Sequence, residues 1–132
     1  MNLIQLGDVT LNSGLKSDFK LVCDDFIKDN LGGLVTLIKR VCGPFSHVKG
    51  IPRGGLLLEE ALVPHVSHSL TSTLLIVDDV LTTGGSFRRF REKLSESYTY
   101  IIGVAVFARG ECPVWVAPLF QLHWKTFLKE KK

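Results

Sequence analysis

Residues Thr73-Leu74-Leu75-Ile76-Val77 form an uninterrupted apolar run that leads straight into two carboxylates, Asp78 and Asp79. Such a run suits a strand buried on both faces, as in a parallel sheet covered by helices on each side. After the acids come Val80-Leu81-Thr82-Thr83-Gly84-Gly85-Ser86, then a helical pattern from Phe87 to Leu94. Tyr100 to Phe107 reads as a second buried strand and Val114-Trp115-Val116 as a third. Upstream, a short apolar stretch from Val48 to Ile51 precedes a Gly-rich turn, and Leu56 to Val63 reads as a short helix. Alternation of this kind predicts an α/β chain with a doubly wound, mostly parallel sheet flanked by helices. Ligands of such sheets bind beyond the carboxyl ends of the strands, where both Gly-rich loops fall.

The first third completes the pattern. Val9 to Val22 reads as strand, turn at Ser13-Gly14, and strand. From Asp24 to Val41, the apolar positions Phe26, Ile27, Leu31, Leu34, Leu37, Ile38 and Val41 keep the spacing of one amphipathic helix, closed by Gly43-Pro44. With 132 residues, no linker and no repeat, residues 1–132 read as a single domain. The net charge of +3 comes from the Lys-rich stretch Lys125–Lys132, which leaves the rest neutral and argues against a nucleic-acid surface. No apolar run reaches the length of a membrane span, and Met1–Gln5 lacks the pattern of a secretory signal. Cys23, Cys42 and Cys112 cannot all pair and form no metal-type doublet, so a reduced, cytoplasmic protein is expected. His65 and His68 stand three apart without further ligands, too few for a metal site.

The segment Asp78–Ser86 carries the chemistry. Two carboxylates at the end of a buried strand need hydroxyls, a cation or backbone donors to offset their desolvation. Thr82, Thr83 and Ser86 bring hydroxyls, and Gly84-Gly85 lets successive N–H groups face one point at the start of the next helix. Acids beside an anion cradle suit a ligand with vicinal hydroxyls and a phosphate, that is, a sugar phosphate. The loop has neither the Gly-Lys-Ser/Thr of a P-loop nor a dinucleotide-binding GxGxxG. A plain capped turn accounts for one hydroxyl and one glycine, not for the whole set.

The thirteen residues Leu74–Ser86, Leu-Leu-Ile-Val-Asp-Asp-Val-Leu-Thr-Thr-Gly-Gly-Ser, resemble the 5-phosphoribosyl 1-diphosphate (PRPP) motif of the type I phosphoribosyltransferases. That resemblance implies the family's fold, with a small hood built from the chain ends. It assigns the ribose hydroxyls to Asp78 and Asp79 and the 5-phosphate to the loop from Val80 and Leu81 through Thr82, Thr83, Gly84, Gly85 and Ser86. Gly50-Ile51-Pro52-Arg53-Gly54-Gly55 is similar to the family's pyrophosphate loop, which gives Ile51, Pro52, Arg53, Gly54 and Gly55 to the diphosphate. Asp78, Asp79 and Arg53 are then the implied catalytic residues and Mg²⁺ the implied cofactor, with no protein ligand assigned to the metal. PRPP, a nucleobase and a second copy of the chain in a homodimer are the implied partners.

The two chain ends resemble different branches of the family. Thr10–Asp18 is similar to the hood of orotate phosphoribosyltransferases, except that Asn12 stands where that group has Lys. Lys16 either replaces that contact or is a solvated strand charge. Phe107–Glu111 and Pro113–Phe120 look more like the base-recognition end of 6-oxopurine enzymes, with Arg109 and Trp115 as candidates. Trp115 suits a core position equally well. Orotate is preferred as the base, with a 6-oxopurine as the alternative. Only residues 56–73 separate the two Gly-rich loops, too few for the family's usual mobile lid, so a lidless PRPP- or nucleotide-binding regulator is the other reading. Arg88, Arg89, Arg91 and Lys93 read as the solvated face of a helix.

Overall fold

A computed structural model of the chain describes residues 4–10, 16–21, 23–68 and 72–122. Along it run β1 (Ile4–Thr10), β2 (Lys16–Leu21), α1 (Asp24–Asp29), α2 (Leu31–Cys42), β3 (His47–Gly50), α3 (Leu56–Leu62), a 3₁₀ turn (Val63–His65), β4 (Thr73–Leu81), α4 (Gly85–Leu94), β5 (Tyr100–Ala108) and β6 (Val116–Gln121). Strands β3 to β6 form one parallel sheet in chain order, and β1 and β2 a separate antiparallel pair. The turn at Ser13-Gly14, Asn12 and the Lys-rich end beyond residue 122 lie outside the described residues.

Leu74, Leu75, Ile76 and Val77 are fully buried because β4 is an inner strand with helices on both faces. Leu75 and Val77 point into a core shared with Ile27 of α1, Ile38 of α2 and Leu58 of α3. Leu74 and Ile76 face the opposite core, with Phe87 of α4 and Val116 of β6. The alternation of strand side chains therefore feeds two helical layers, which the sequence signals as a solid apolar run.

Three elements depart from expectation. The single helix over 24–41 is two helices that meet at Asn30, where φ is −123° and ψ 20°, and whose Nδ2 donates to the Phe26 carbonyl at 2.9 Å. Asn competes for its own helix's carbonyls in this way, and it breaks the helix where the Gly32-Gly33 pair does not. Strand β4 runs on through Asp78 and Asp79 to Leu81, so both acids are strand residues, with Asp78 opposite Ala105 of β5. The third strand starts at Val116, later than the Val114-Trp115-Val116 expectation, because Val116 N–H donates to the Pro113 carbonyl and closes a turn. Pro118, which has no N–H to donate, is accommodated because β6 is an edge strand.

Candidate functional site

The carboxyl end of β4 is where the sheet becomes polar. Asp78 is only 8% exposed, the one buried charged residue in the described core. Its Oδ1 accepts the Asp79 N–H at 2.8 Å, and Asp79 Oδ1 accepts the Val80 N–H at 2.7 Å. Each acid therefore has one oxygen held by backbone. Burial, followed by the hydrogen bond and charge of Asp79, pushes the Asp78 carboxyl far above the usual carboxylate range. The same acids act on Cys23, a buried thiol ahead of α1. Burial first, then the charges of Asp79, Asp24 and Asp78, push it up to about 12.

The loop after β3 folds directly onto this end. Ile51 N–H donates to the Val77 carbonyl at 2.9 Å, Gly55 N–H to the Ile51 carbonyl at 2.8 Å and Leu56 N–H to the Arg53 carbonyl at 3.1 Å. Pro52 and Arg53, joined by a cis peptide bond, are exposed at the tip. Gly54 lies so close to Asp79 that a Cβ there would collide with its carboxylate, and one on Gly55 would collide with the Val77 carbonyl. Gly55 is required by close approach to backbone, whereas a side chain at Gly54 would have to displace the Asp79 carboxylate. Glu59, one turn into α3, accepts the Gly50 N–H at 2.6 Å and ties the helix to the start of the loop. No sequence pattern singles Glu59 out, since its partner is a backbone group nine residues away.

On the other side of the acids, Thr82–Gly84 link β4 to α4. Gly84 takes φ +83°, the left-handed region that favours glycine, and N-caps the helix. Thr83 Oγ1 accepts the Gly85 N–H at 3.2 Å. Residues Val80 to Phe87 line a small, open concavity at the start of α4. The basic run on α4 is exposed, as expected, and three of its side chains also make local contacts. Arg88 Nη1 donates to the Thr83 carbonyl at 3.1 Å, Arg89 Nη2 to Ser86 Oγ at 3.4 Å, and Arg91 sits 4.8 Å from the centre of the Trp115 ring. Long helical side chains lean toward the N-terminus, the signal that marks the first two as loop residues.

Of the expected base-contacting residues, Arg109 comes to this end of the sheet. Its N–H donates to the Leu81 carbonyl at 2.8 Å, and Gly110 packs against the Thr82 carbonyl. Trp115 lies elsewhere, ahead of β6 beneath α4, with Phe87 edge-on at 6.0 Å and its carbonyl accepting the Gly103 N–H at 2.9 Å. The core alternative for this residue is therefore the one its packing matches. The aromatic group at the carboxyl end is instead Phe107, stacked on half-exposed Phe120 at 5.5 Å and tilted against Phe26 at 5.4 Å. Lys16 opens β2, paired with Thr10, and its side chain lies outside the described residues. Among the described residues, no cluster of three or more His, Cys, Asp or Glu could hold a metal. His65 Nδ1 instead meets Lys39 Nζ at 3.0 Å. No helix among the described residues is long and apolar enough to cross a membrane.

No family model matches the chain, and no curated protein matches it. Solved structures do. The chain is similar to orotate phosphoribosyltransferase from Aeropyrum pernix, with a TM-score of 0.73 and 21% identity over 98% of this chain and 92% of that one. It is similar to Leishmania donovani UMP synthase at TM-score 0.69 and 18% identity, over 98% of this chain and 36% of that one. Helicobacter pylori xanthine-guanine-hypoxanthine phosphoribosyltransferase aligns at TM-score 0.51 and 19% identity, over 83% of this chain and 95% of that one. The four-stranded parallel sheet with helices on both faces is the type I phosphoribosyltransferase fold.

Proposed function

We propose that the chain is a PRPP-dependent phosphoribosyltransferase, with PRPP lying across β4 between the two Gly-rich loops. The observation that carries this reading is the contact of Gly54 with the Asp79 carboxylate. It sets a loop suited to a diphosphate edge to edge with acids suited to ribose hydroxyls, and the Thr82–Ser86 cradle follows on the far side. Asp78 and Asp79 hold the two hydroxyls, Thr82 to Ser86 the 5-phosphate, and Ile51 to Gly55 the diphosphate. In the reaction a base nitrogen attacks C1 while the bond from C1 to the diphosphate oxygen breaks, with inversion at C1. The bonding pair leaves with the diphosphate, and the proton of the attacking nitrogen passes to Asp79 or to solvent. Positive charge grows on the ribosyl ring in the transition state and is stabilised by the acids beneath it. Arg53, with its fork of donors, and the loop amides receive the departing charge.

Mg²⁺ fits this end of the sheet. It is commonly held by one or two carboxylates together with substrate oxygens, and Asp79 would supply that carboxylate. When bound, the ion neutralises charge developing on the diphosphate.

Orotate is the base we favour. The backbone of Arg109 is bonded to Leu81 at the end of β4, which puts a cationic residue near the site, and orotate phosphoribosyltransferases are among the structures the chain is similar to. A second reading follows from the segment between the loops. Helix α3 and its 3₁₀ turn take Leu56 to His65, and β4 begins at Thr73, so little chain remains for a lid. That spacing suits a PRPP-binding regulator.

Release of pyrophosphate from PRPP and Mg²⁺ should be assayed in parallel with orotate, hypoxanthine, guanine, xanthine, adenine and uracil, with Asp79→Asn as the control. Release that needs orotate and is lost in the variant is the expected result. No release with any base, while calorimetry still detects PRPP binding, would replace the transferase with the regulator.

A further inference from the structure

The geometry points to Arg88 and Arg89 as the residues that make the Thr82–Ser86 cradle select a doubly ionised phosphomonoester. The inference rests on the proposed function, which gives that cradle to the 5-phosphate, and adds to it the charge that the ligand must carry.

Helix α4 has no acidic residue in its first turn. Anions stabilise that end of a helix, and the two arginines that lean toward it add positive charge there. Arg88 has Glu92 four residues on, yet its guanidinium turns the other way and bonds the Thr83 carbonyl. Arg89 turns the same way, onto Ser86 Oγ. The ends of the two side chains lie over the glycines, with Arg88 Nη1 2.9 Å from where a Cβ on Gly84 would stand and Arg89 Nη1 3.1 Å from one on Gly85. Neither is in an ion pair among the described residues, and each guanidinium uses one donor in these bonds, which leaves further N–H groups. The other charged neighbours are the Asp78–Asp79 pair on β4 and Arg109, which follows β5 and bonds through its backbone to Leu81, while Arg91 is turned away onto Trp115. Backbone amides alone accept a singly or a doubly charged phosphate. Two guanidinium groups at the rim favour the dianion, because each charge-assisted bond strengthens with the charge of the acceptor.

The test is calorimetric titration of ribose 5-phosphate into the wild-type chain, Arg88→Gln and Arg89→Gln, at pH 7.5 and pH 5.5. These values bracket the second ionisation of a phosphomonoester, near 6. Each substitution is expected to weaken binding at pH 7.5 by about tenfold, and to flatten the loss of affinity that the wild type shows at pH 5.5. A purely structural clip on the loop would lower affinity without altering that pH dependence. Arg89→Gln removes only a long contact to an exposed hydroxyl, so it reports even where Arg88→Gln disturbs the Thr83 turn. Binding of ribose 5-phosphate by both variants with wild-type affinity and wild-type pH dependence overturns the inference and leaves the proposed function standing. A wild-type chain that binds neither ribose 5-phosphate nor PRPP at either pH overturns the proposed function, and this inference with it.

Discussion

Gly54 is pressed against the carboxylate of Asp79, with no room between them for a methyl group. The contact joins the loop after β3 to strand β4, across the intervening helix α3. Under the proposed function, this junction would set how far the diphosphate lies from the ribose.

Gly54→Ala is therefore expected to displace the Asp79 carboxylate while the sheet stays folded. Pyrophosphate release should fall by roughly 100-fold, the scale on which a displacement of about 1 Å acts on a positioned reaction. Far-ultraviolet circular dichroism, measured beside the assay, should be unchanged. Wild-type turnover by Gly54→Ala would show that the junction does not bear on catalysis.

Asp78 links the site to pH. Its folded carboxyl binds its proton more tightly than in the unfolded chain, because burial and Asp79 disfavour the charge. The protonated group's contribution to stability is complete below the unfolded value of about 4, and is lost as pH rises from there through the raised folded value. The slope is at most about 1.4 kcal/mol per pH unit. Asp78→Asn keeps the acceptor for the Asp79 N–H and carries no charge. Its melting temperature should pull ahead of the wild type between pH 5 and pH 8. Parallel melting curves across that range would show that Asp78 ionises normally.

Glu59→Ala leaves the Gly50 N–H without its acceptor on an edge strand. A stability loss of about 1–3 kcal/mol follows from stranding a part-buried donor. The Michaelis constant for PRPP should rise more than kcat falls, if the loosened loop takes the diphosphate as proposed. Glu59→Gln retains an acceptor oxygen and should restore most of both, as chemical denaturation and steady-state kinetics would reveal.

Trp115→Ala should behave as a core truncation. Loss of its contacts with Phe87 and Arg91 is expected to lower stability by about 3 kcal/mol. The preference among nucleobases should not change, because the ring lies under α4. A switch in base preference, with stability intact, would return Trp115 to the base pocket.

What the sequence made legible was chemistry held in contiguous residues. The apolar run into Asp78-Asp79, the hydroxyls and the paired glycines depend on neighbours within one turn of chain, so strand, loop and helix could be placed from them. The features it concealed depend on partners far along the chain. Glu59 answers a backbone donor that becomes free only because β3 ends at the sheet edge. Arg88 and Arg89 look like solvated charges until helix direction brings them back over the loop. Trp115 was balanced between slot and core because an aromatic beside a strand suits both, and only the register Gly103 to Val116 puts it beneath α4. The break at Asn30 was hidden by an apolar spacing that continues across both helices.

The two edges of the sheet have a consequence for how copies of this chain meet. At the β3 edge, the outward N–H of Gly50 is already taken by Glu59, and at the β6 edge Pro118 has none to give. An incoming extended chain would find the ladder interrupted on either side, a common natural defence against strand addition. Assembly of this protein is thereby steered toward contacts between helices or loops.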